Sequence, residues 1–436
     1  MKKIIFAPAV FALIFAGVMN GEVTRKVTEK YPDGKTKSIV YYNIGKEVAT
    51  EVVDEKGAMT VKGNIPDGKV LEYDEAGKVT VERTFKGNKR NGWAKYFSKD
   101  GLLSYEVNIK DNLSDGAGRE YWEDGKTVKS EETFSKDKLN GPKKFFSKDG
   151  KLSFEINFVD NKKDGDINIY YRNGKIKSKQ QYKNDMKEGS FKLYYLSGKV
   201  RRQGEYKNDL KDGIFKEYFE DGKPAFEDSY SSGSYLQGKA FDKDGKSADI
   251  YESTLKSVMA GDFDSDFERL RMAFTKTSNY DPYNSDENKD SMYKAFRNEK
   301  YEEALKLGKA ILEKEYVDMD TQMVCSMCYM KTKNEELEEF HRQVFYGLLN
   351  SILDSGDGKT PETAYRVIKV REEYVLLSEQ GYKVLKQSLV KAKTGNCDLM
   401  EVKNMETGEE SKSYFNVKIS MDYILNKFKD LKETKE

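Results

Sequence analysis

A glycine returns every 24 or 25 residues through the first half of this 436-residue chain. Two such series run in parallel, and each glycine of the second follows its partner in the first by nine residues. The first series is Gly68, Gly92, Gly116, Gly141, Gly165, Gly189 and Gly213, and the second is Gly77, Gly101, Gly125, Gly150, Gly174, Gly198 and Gly222. A fixed period of this length predicts stacked repeats, in which each unit buries its apolar surface against its neighbours.

The residues around these glycines predict that each unit is one β-hairpin. An aromatic pair such as Tyr96-Phe97 or Tyr170-Tyr171 stands just before an Asp-Gly or Asn-Gly turn such as Asp100-Gly101 or Asn173-Gly174. These dipeptides between aromatic and β-branched runs favour a hairpin turn whose two central residues both have positive φ. We expect the glycines of the first series, as in Asn91-Gly92, to turn the chain into the next unit.

The aromatic pairs supply both the packing of the array and its candidate contact residues. Adjacent residues of a strand point to opposite faces, so one ring of each pair packs along the array and the other faces outward or into a second layer. Because a lone hairpin is marginal in water, the array is expected to be stable only as a whole. We take Tyr170, Tyr194 and Tyr218 as a candidate interaction surface, with packing inside the ladder as the alternative interpretation.

The unit Tyr-Lys-Asn-Asp-Leu-Lys-Asp-Gly-Ile-Phe-Lys-Glu-Tyr-Phe-Glu-Asp-Gly-Lys, residues 206–223, carries a family resemblance. It resembles the MORN-variant repeat of bacterial proteins, and about eight copies cover residues 25–246, the first two degenerate. The resemblance implies a stack of antiparallel hairpins that presents an interaction surface. The regular Gly-x-Trp of the eukaryotic MORN repeat is missing, so a lipid-head-group role does not carry over.

The N-terminus predicts export. Lys2 and Lys3 precede an apolar run from Ile4 to Val18, which is the layout of a signal peptide over residues 1–21. The run is too short for a membrane span, and no later segment is apolar enough to be one. We therefore expect a protein of the periplasm, the outer-membrane surface or the extracellular space.

The charge balance argues against nucleic acid as a partner. The chain has 76 basic and 75 acidic residues, whereas nucleic-acid binding needs a basic excess or stripe. Charged residues make up 35% of the chain and hydrophobic residues 37%, so the 12% of aromatic residues are expected to supply much of the core.

Helical spacing replaces the glycine period after Gly245. We expect a linker over residues 247–262 and a helical region over 263–354, with a short amphipathic helix around Phe267–Phe274. The stretch Met292–Leu312 resembles a tetratricopeptide repeat, with Ala295 and Ala304 where two helices approach and Tyr301 opening the second helix. A weaker copy runs from Thr321 to about Phe345, with Cys328 at the small-residue position.

A small α+β tail is predicted for residues 355–436. The loop over 354–368 contains Gly358-Lys359-Thr360 but lacks the glycine that a phosphate-binding loop needs five residues earlier, so we expect a capped loop between a helix and a strand. Strands are predicted over Tyr365–Val370, Ser388–Lys393, Leu399–Lys403 and Ser411–Ile419, with a helix over Glu372–Tyr382 and a hairpin turn at Asn404–Gly408. Residues 263–425 resemble an uncharacterised bacterial family with a tetratricopeptide-like region and such a tail.

No catalytic, cofactor or metal site is predicted. Cys325 and Cys328 fall inside a predicted helix among apolar residues, so buried thiols are favoured over a redox pair. Zinc would need a second ligand pair, for which Cys397 and His341 are the remaining soft candidates. His341 is the single histidine, expected at a surface or interface, and most catalytic triads need a histidine base.

These observations predict a multidomain β plus α/α+β protein that is exported and not an enzyme. Its leading function is protein–protein interaction or assembly in the cell envelope, by binding a partner or by self-association. Glycan or lipid contact through outward aromatic residues is the first alternative. The second is a hydrolase that relies on two carboxylates about 5–10 Å apart in a deep pocket.

Overall fold

The computed structural model describes residues 22–284, 286–393 and 395–433. The signal peptide expected over residues 1–21 lies outside the described residues. Among those that are described, no helix is both long enough and apolar enough to cross a bilayer.

The chain divides into two compact units, and the division does not follow the change in composition near Gly245. Of the described residues, those before 178 and residues 182–185 form the first unit, and residues 178–181 and those from 186 onward form the second. The boundary falls within a strand of the repeats, Ile176–Lys183. The last hairpins of the array therefore belong to the same unit as the helices.

The first unit is a ladder of strands. Its strands in the described residues are β1 (Val23–Lys30), β2 (Thr36–Asn43), β3 (Lys46–Val53), β4 (Met59–Gly63), β5 (Gly68–Tyr73), β6 (Val79–Lys86), β7 (Lys89–Phe97), β8 (Leu103–Lys110), β9 (Leu113–Tyr121), β10 (Val128–Ser135), β11 (Lys138–Leu139), β12 (Gly141–Phe146), β13 (Leu152–Val159) and β14 (Lys162–Tyr170). From β5 onward, successive strands pair antiparallel, as the predicted stack of hairpins requires. Strand β15 (Ile176–Lys183) carries the boundary between the units.

The first four strands depart from the simple stack. Strands β1 to β4 form an antiparallel meander, but β1 then pairs with β5 in parallel, at Val23 and Val70. The parallel pair joins the meander to the edge of β5. The meander also approaches β7, because the Met59 sulfur of β4 lies 3.9 Å from Arg90. It encloses a core of Val23, Ile39, Tyr41, Ala49, Ile65, Val70 and Phe85. This atypical end caps the array, as terminal units of repeat proteins must.

The hairpin turns differ from the prediction in type and in place. At Ser98–Gly101 the Gly101 N–H donates to the Ser98 carbonyl, and Gly101 alone has positive φ, at 80°. This is a type I turn closed by a glycine bulge, not a turn with two positive-φ residues. The first-series glycines do not turn the chain either: Gly116, with φ of 110°, lies inside β9, where the register against β8 shifts.

The turns between successive repeats are made by pairs such as Asp111-Asn112 and Asn208-Asp209, in which both residues have positive φ. The second residue of each pair also ties its turn to the preceding unit. The Asn112 side chain accepts the Arg90 N–H at 2.8 Å, and the Asn112 N–H donates to the Arg90 carbonyl at 3.0 Å. Asp209 repeats both bonds with Lys187. This ladder of turns explains why Asn and Asp recur there, because they tolerate the left-handed region and offer a short acceptor.

The second unit begins with five full strands and one short one: β16 (Met186–Tyr194), β17 (Val200–Lys207), β18 (Leu210–Tyr218), β19 (Pro224–Ser231), β20 (Ser234–Phe241) and β21 (Ser247–Ala248). They pair antiparallel in sequence order. Along β18, Phe215 and Glu217 are buried whereas Ile214 and Lys216 are exposed. We call the face that carries Ile214 and Lys216 the open face.

The opposite face carries a column of aromatic rings and packs against the helices. Phe191, Tyr206, Phe215, Tyr230 and Tyr235 contact one another in succession at centroid distances of 5.3–5.9 Å, mostly edge to face. Such pairs are the favoured aromatic geometry. Rings do pack along these hairpins, but none of the five belongs to an aromatic pair before a turn, so the residues that build the column differ from those predicted.

The helices and a small sheet complete the second unit. The helices are α1 (Ile250–Met259), α2 (Phe267–Phe274), α3 (Asn288–Arg297), α4 (Tyr301–Lys314), α5 (Met319–Lys331), α6 (Glu335–Leu353), α7 (Val370–Glu379) and α8 (Lys418–Glu433), and the strands are β22 (Tyr365–Arg366), β23 (Tyr382–Ala392), β24 (Gly395–Asn404) and β25 (Glu410–Asn416). The sheet order is β22-β25-β24-β23, with β22 parallel to β25.

Several predicted elements are confirmed and others are corrected. Helix α2 and the turn at Asn404–Gly408 are as predicted, and the 354–368 loop is capped by Thr360. The stretch expected as a linker contains helix α1, whose Asp249 cap accepts the Glu252 N–H. The strand predicted from Tyr365 ends at Arg366, and the one predicted to reach Ile419 stops at Asn416, because α8 begins at Lys418.

Candidate functional site

A buried network of charges joins the sheet of the second unit to helix α2. Five cations (Arg201, Arg202, Lys211, Arg269 and Arg366) and five anions (Glu217, Asp228, Asp262, Asp266 and Glu268) take part. The two signs balance, which is what permits burial, since an unpaired ion in the interior is strongly unfavourable.

Arg269 is the centre of this network. Its guanidinium donates to Glu217 at 2.9 Å, to Asp228 at 2.8 Å and to Thr254 at 3.1 Å. The same group lies 3.5 Å above the ring of Phe226, a cation–π contact. Arg269 and Asp228 are each only 2% exposed. The donors of Arg269 are thus satisfied by groups that have no access to a substrate, so the cluster is structural.

Neighbouring charges set the protonation of this cluster. Burial acts to raise the pKa of Glu217, but Arg202 and Arg269 outweigh it and lower the pKa to about 2. The pKa of Asp266 is also lowered, because Lys211 and Arg202 outweigh burial. Burial raises the pKa of Glu268, although Lys211 and Arg366 act to lower it. Glu217 and Asp266 therefore stay ionised at neutral pH and hold the two elements together.

The open face of the same unit carries a groove with a cavity volume of about 410 Å³. It is lined by Ser190, Phe191, Lys192, Gln203, Gly204, Glu205, Asp212, Gly213, Ile214, Lys216 and Tyr218. Ile214 is 55% exposed at its edge. Gln203 donates to the Tyr218 hydroxyl at 3.1 Å, which holds the ring beside the groove.

A break in the repeat pattern lies within this groove. In five earlier repeats, the first-series glycine lies close to the residue eight positions before it. A β-carbon built on that glycine would lie within 3.6 Å of this residue, which is Thr84, Asn108, Thr133, Asn157 or Gln181. Those side chains cover the glycine. In the last repeat of the series the corresponding residue is Glu205, and a β-carbon on Gly213 would meet nothing within 4 Å. The uncovered glycine leaves open space on the face.

The three tyrosines proposed from the sequence have different surroundings. Tyr218 lines the groove. Tyr194 is half-buried in the preceding hairpin of the same unit and is not a lining residue. Tyr170 belongs to the first unit, where its hydroxyl donates to Glu155 at 3.3 Å. The sequence therefore pointed to one residue of the groove and missed Glu205, whose departure from the Thr, Asn or Gln of earlier units was visible.

Candidate nucleophiles and bases elsewhere are buried. Burial raises the pKa of Cys325 to about 12 and that of Cys328 to about 11, and both lie in α5 as free thiols. Burial lowers the pKa of His341 to about 4; its Nδ1 lies 2.7 Å from Gln322 Oε1. His341 is thus an internal residue between α5 and α6, not a surface one. Within the described ranges, no three metal-ligating side chains converge on one point.

The thiols are therefore expected to be unreactive in the folded protein. Ellman's reagent at pH 8 should release almost no thionitrobenzoate from the native chain, because each thiol is buried and protonated. After denaturation in guanidinium chloride, all three cysteines should react. Rapid labelling of the native protein would contradict this description of α5.

Comparison with protein families agrees with this architecture. A model described as "MORN repeat variant" matches residues 66–86, 139–160, 163–184, 187–208 and 211–232. The N-terminal half carries MORN-variant repeats. A second model, "Domain of unknown function (DUF4919)", matches residues 247–426, so the C-terminal half is a DUF4919 domain. A search of the curated proteins finds no match to the chain.

Family and structure together locate the groove. The last two matched MORN-variant repeats, 187–208 and 211–232, supply all of its lining residues. Their other face packs on the DUF4919 domain through Arg269 and Asp266. The DUF4919 domain thus covers one face of these repeats, and the groove lies on the other.

Proposed function

We propose that this chain is an exported, non-catalytic interaction protein that binds a segment of a protein partner in the open-face groove of its last MORN-variant repeats. The observation that supports this most strongly is the uncovered Gly213, which leaves a built depression between an exposed Ile214 and a held Tyr218. Interface hot spots favour such aromatic residues in pockets flanked by polar groups.

The carboxylates favour binding over hydrolysis. Glu205 and Asp212 stand opposite each other across β17 and β18, so the groove does hold two acids. A general acid must be kept protonated, usually by burial, whereas Glu205 is exposed. Glu373 is kept protonated, since burial raises its pKa to about 9, but it is 0% exposed and cannot reach a substrate.

The helices of the DUF4919 domain are proposed to form two tetratricopeptide-like pairs that support this role. Ala295 and Ala304, the small residues of the first pair, are 3% and 0% exposed, as close helix contact requires. Gly308 of α4 allows the approach of α5, since a β-carbon there would lie 2.7 Å from the Cys325 sulfur. We further propose that the signal peptide delivers the chain to the periplasm or the cell surface.

Photo-crosslinking in the native cell tests the proposal. A photoreactive phenylalanine at Ile214 should give one discrete crosslinked protein, and the same residue at Met330 of α5, 54% exposed, serves as the control. No product at Ile214, or the same products at both positions, would contradict a specific partner. Binding of glycans by the purified chain, with no protein crosslink, would transfer support to the alternative function.

Replacement of Tyr218 by alanine should weaken binding of the crosslinked partner about tenfold to thirtyfold, the effect of losing one aromatic hot spot. Isothermal titration calorimetry with the purified partner provides the measurement. Tyr194→Ala, outside the groove, should change the affinity by less than about threefold. Equal losses for the two variants would place the contact elsewhere on the sheet.

A further inference from the structure

The small sheet of the DUF4919 domain ends in a long edge strand. β23 spans 11 residues, about twice the usual strand length. It pairs with β24 along its whole length, from Tyr382 opposite Asn404 to Ala392 opposite Gly395. Its other side has no strand neighbour in the described part of the chain. Nor does any backbone hydrogen bond from another described segment reach its residues 382–392.

The backbone groups on that side are therefore available to another chain. Natural edge strands are usually short, bulged, covered or marked by charged residues such as lysine, because a long free edge attracts further strands. β23 has one bulge, near Leu385, and then runs regularly to Ala392. Leu385 and Leu389 are 48% and 56% exposed, so this edge presents apolar surface beside its lysines, and the lysines would repel any strand that is not acidic.

The charge of β23 indicates what kind of segment fits. Residues 382–393 contain four lysines and no acidic residue. All four, Lys383, Lys386, Lys391 and Lys393, are exposed. Among the described residues, only Lys386 of these four lysines forms an ion pair. Its partner is Glu401 at 3.9 Å, and both groups are exposed. A net charge of +3 on β23, with Lys393 just after it, in a chain that is almost neutral overall, selects an acidic neighbour.

We propose that β23 is a second docking edge, which adds an extended acidic segment of a protein partner as the fifth strand of this sheet. Strand addition of this kind gains affinity from main-chain hydrogen bonds and specificity from alternate side chains. The two exposed leucines would contact apolar residues of the segment, and the lysines would pair with its acids. A second copy of the chain is disfavoured, because it would set the three lysines of β23 against three others.

A synthetic peptide of four Glu-Val repeats, labelled with fluorescein, tests this edge on the full-length protein. Fluorescence anisotropy should show saturable binding that weakens as salt rises from 50 to 500 mM. The same peptide N-methylated at every residue keeps its charge but loses the hydrogen-bond donors of both edges. It should bind at least tenfold more weakly, and equal binding would overturn strand addition.

Charge-reversed variants supply the matched control. Lys386→Glu with Lys391→Glu should weaken binding at least tenfold, whereas Lys306→Glu with Lys331→Glu, exposed lysines of α4 and α5, should change it less than twofold. Equal effects of the two pairs would overturn the assignment to β23. Circular dichroism establishes that each variant is folded.

Hydrogen exchange distinguishes an added strand from simple charge attraction. The peptide should slow exchange of amides within residues 382–392 and leave the already paired β24 unchanged. Binding without this protection would overturn the proposal, as would stronger binding to vesicles containing 30% phosphatidylserine than to the peptide. The groove at Gly213 is on another sheet, so its variants should leave peptide binding unchanged.

Discussion

Replacing Arg269 with methionine is expected to lower the free energy of unfolding by about 3–5 kcal/mol. The substitution leaves Glu217 and Asp228 buried without their shared cation, and it removes the guanidinium from the face of Phe226. Breaking one partner of a buried ion pair is far more destabilising than losing an exposed pair, because the remaining charge is uncompensated. Differential scanning calorimetry of the full-length protein, in the transition of the second unit, gives the measurement.

Two further variants establish the cause. Lys300→Ala removes an exposed pair with Glu303, whose side chains are 63% and 55% exposed, and should cost at most about 0.5 kcal/mol. The double variant Arg269→Met with Asp228→Asn should recover part of the loss, because Asp228 pairs with Arg269 whereas Glu217 keeps Arg201 and Arg202, so the orphaned charge is then gone. A loss below about 1 kcal/mol for Arg269→Met, or no recovery in the double variant, would show that the network does not hold α2 to the sheet.

Replacing Glu373 with glutamine is expected to stabilise the protein at pH 8 by on the order of 2–4 kcal/mol and to have little effect at pH 5. Burial first, and then the neighbouring Asp398 and Glu372, raise the pKa of Glu373 to about 9 from the ordinary 4.5. Asp398 in turn accepts the Gln387 amide at 2.6 Å. Glutamine mimics the protonated acid and needs no proton from solvent.

The sign of this pH dependence follows from proton binding. Between about pH 4.5 and pH 9 the folded state holds a proton on Glu373 that the unfolded state releases, so stability falls as pH rises through this range. Glu373→Gln should remove that slope. Glu379→Gln, an exposed glutamate of the same helix, should leave it unchanged. Denaturant unfolding at pH 5, 6.5 and 8 measures the slope, and equal slopes for wild type and Glu373→Gln would contradict a buried neutral acid.

Local sequence signals predicted the hairpins but not how they join. An Asp-Gly pair suits both a two-residue turn and a three-residue turn with a glycine bulge, and the cross-strand register decides between them. In the pair of β7 and β8, Phe97 stands opposite Leu103, which leaves room for the longer turn. The parallel pairing of β1 with β5 could not be predicted from the sequence, because the repeat period does not indicate which strand the first strands pair with.

Other features could have been predicted from the sequence but were missed. Glu217 stands 24 residues after Leu193, at the same buried place in the repeat, and a charge at a core position signals a buried partner. The spacing of Ile419, Tyr423 and Lys427 is helical, and α8 contains all three. The partner of Glu217, Arg269, lies 52 residues away, and only tertiary packing brings the two together.

The most direct test of the groove replaces a residue of its lining. Glu205→Thr introduces the residue found at the corresponding position of two earlier repeats, Thr84 and Thr133, and it removes the carboxylate that lines the groove beside Gly213. Glu336→Thr removes an exposed glutamate of α6 that does not line the groove, and it serves as the matched control. Titration calorimetry with the partner crosslinked at Ile214 should show at least a tenfold loss for Glu205→Thr and less than a twofold change for Glu336→Thr. Full affinity of a folded Glu205→Thr protein would contradict binding in the groove.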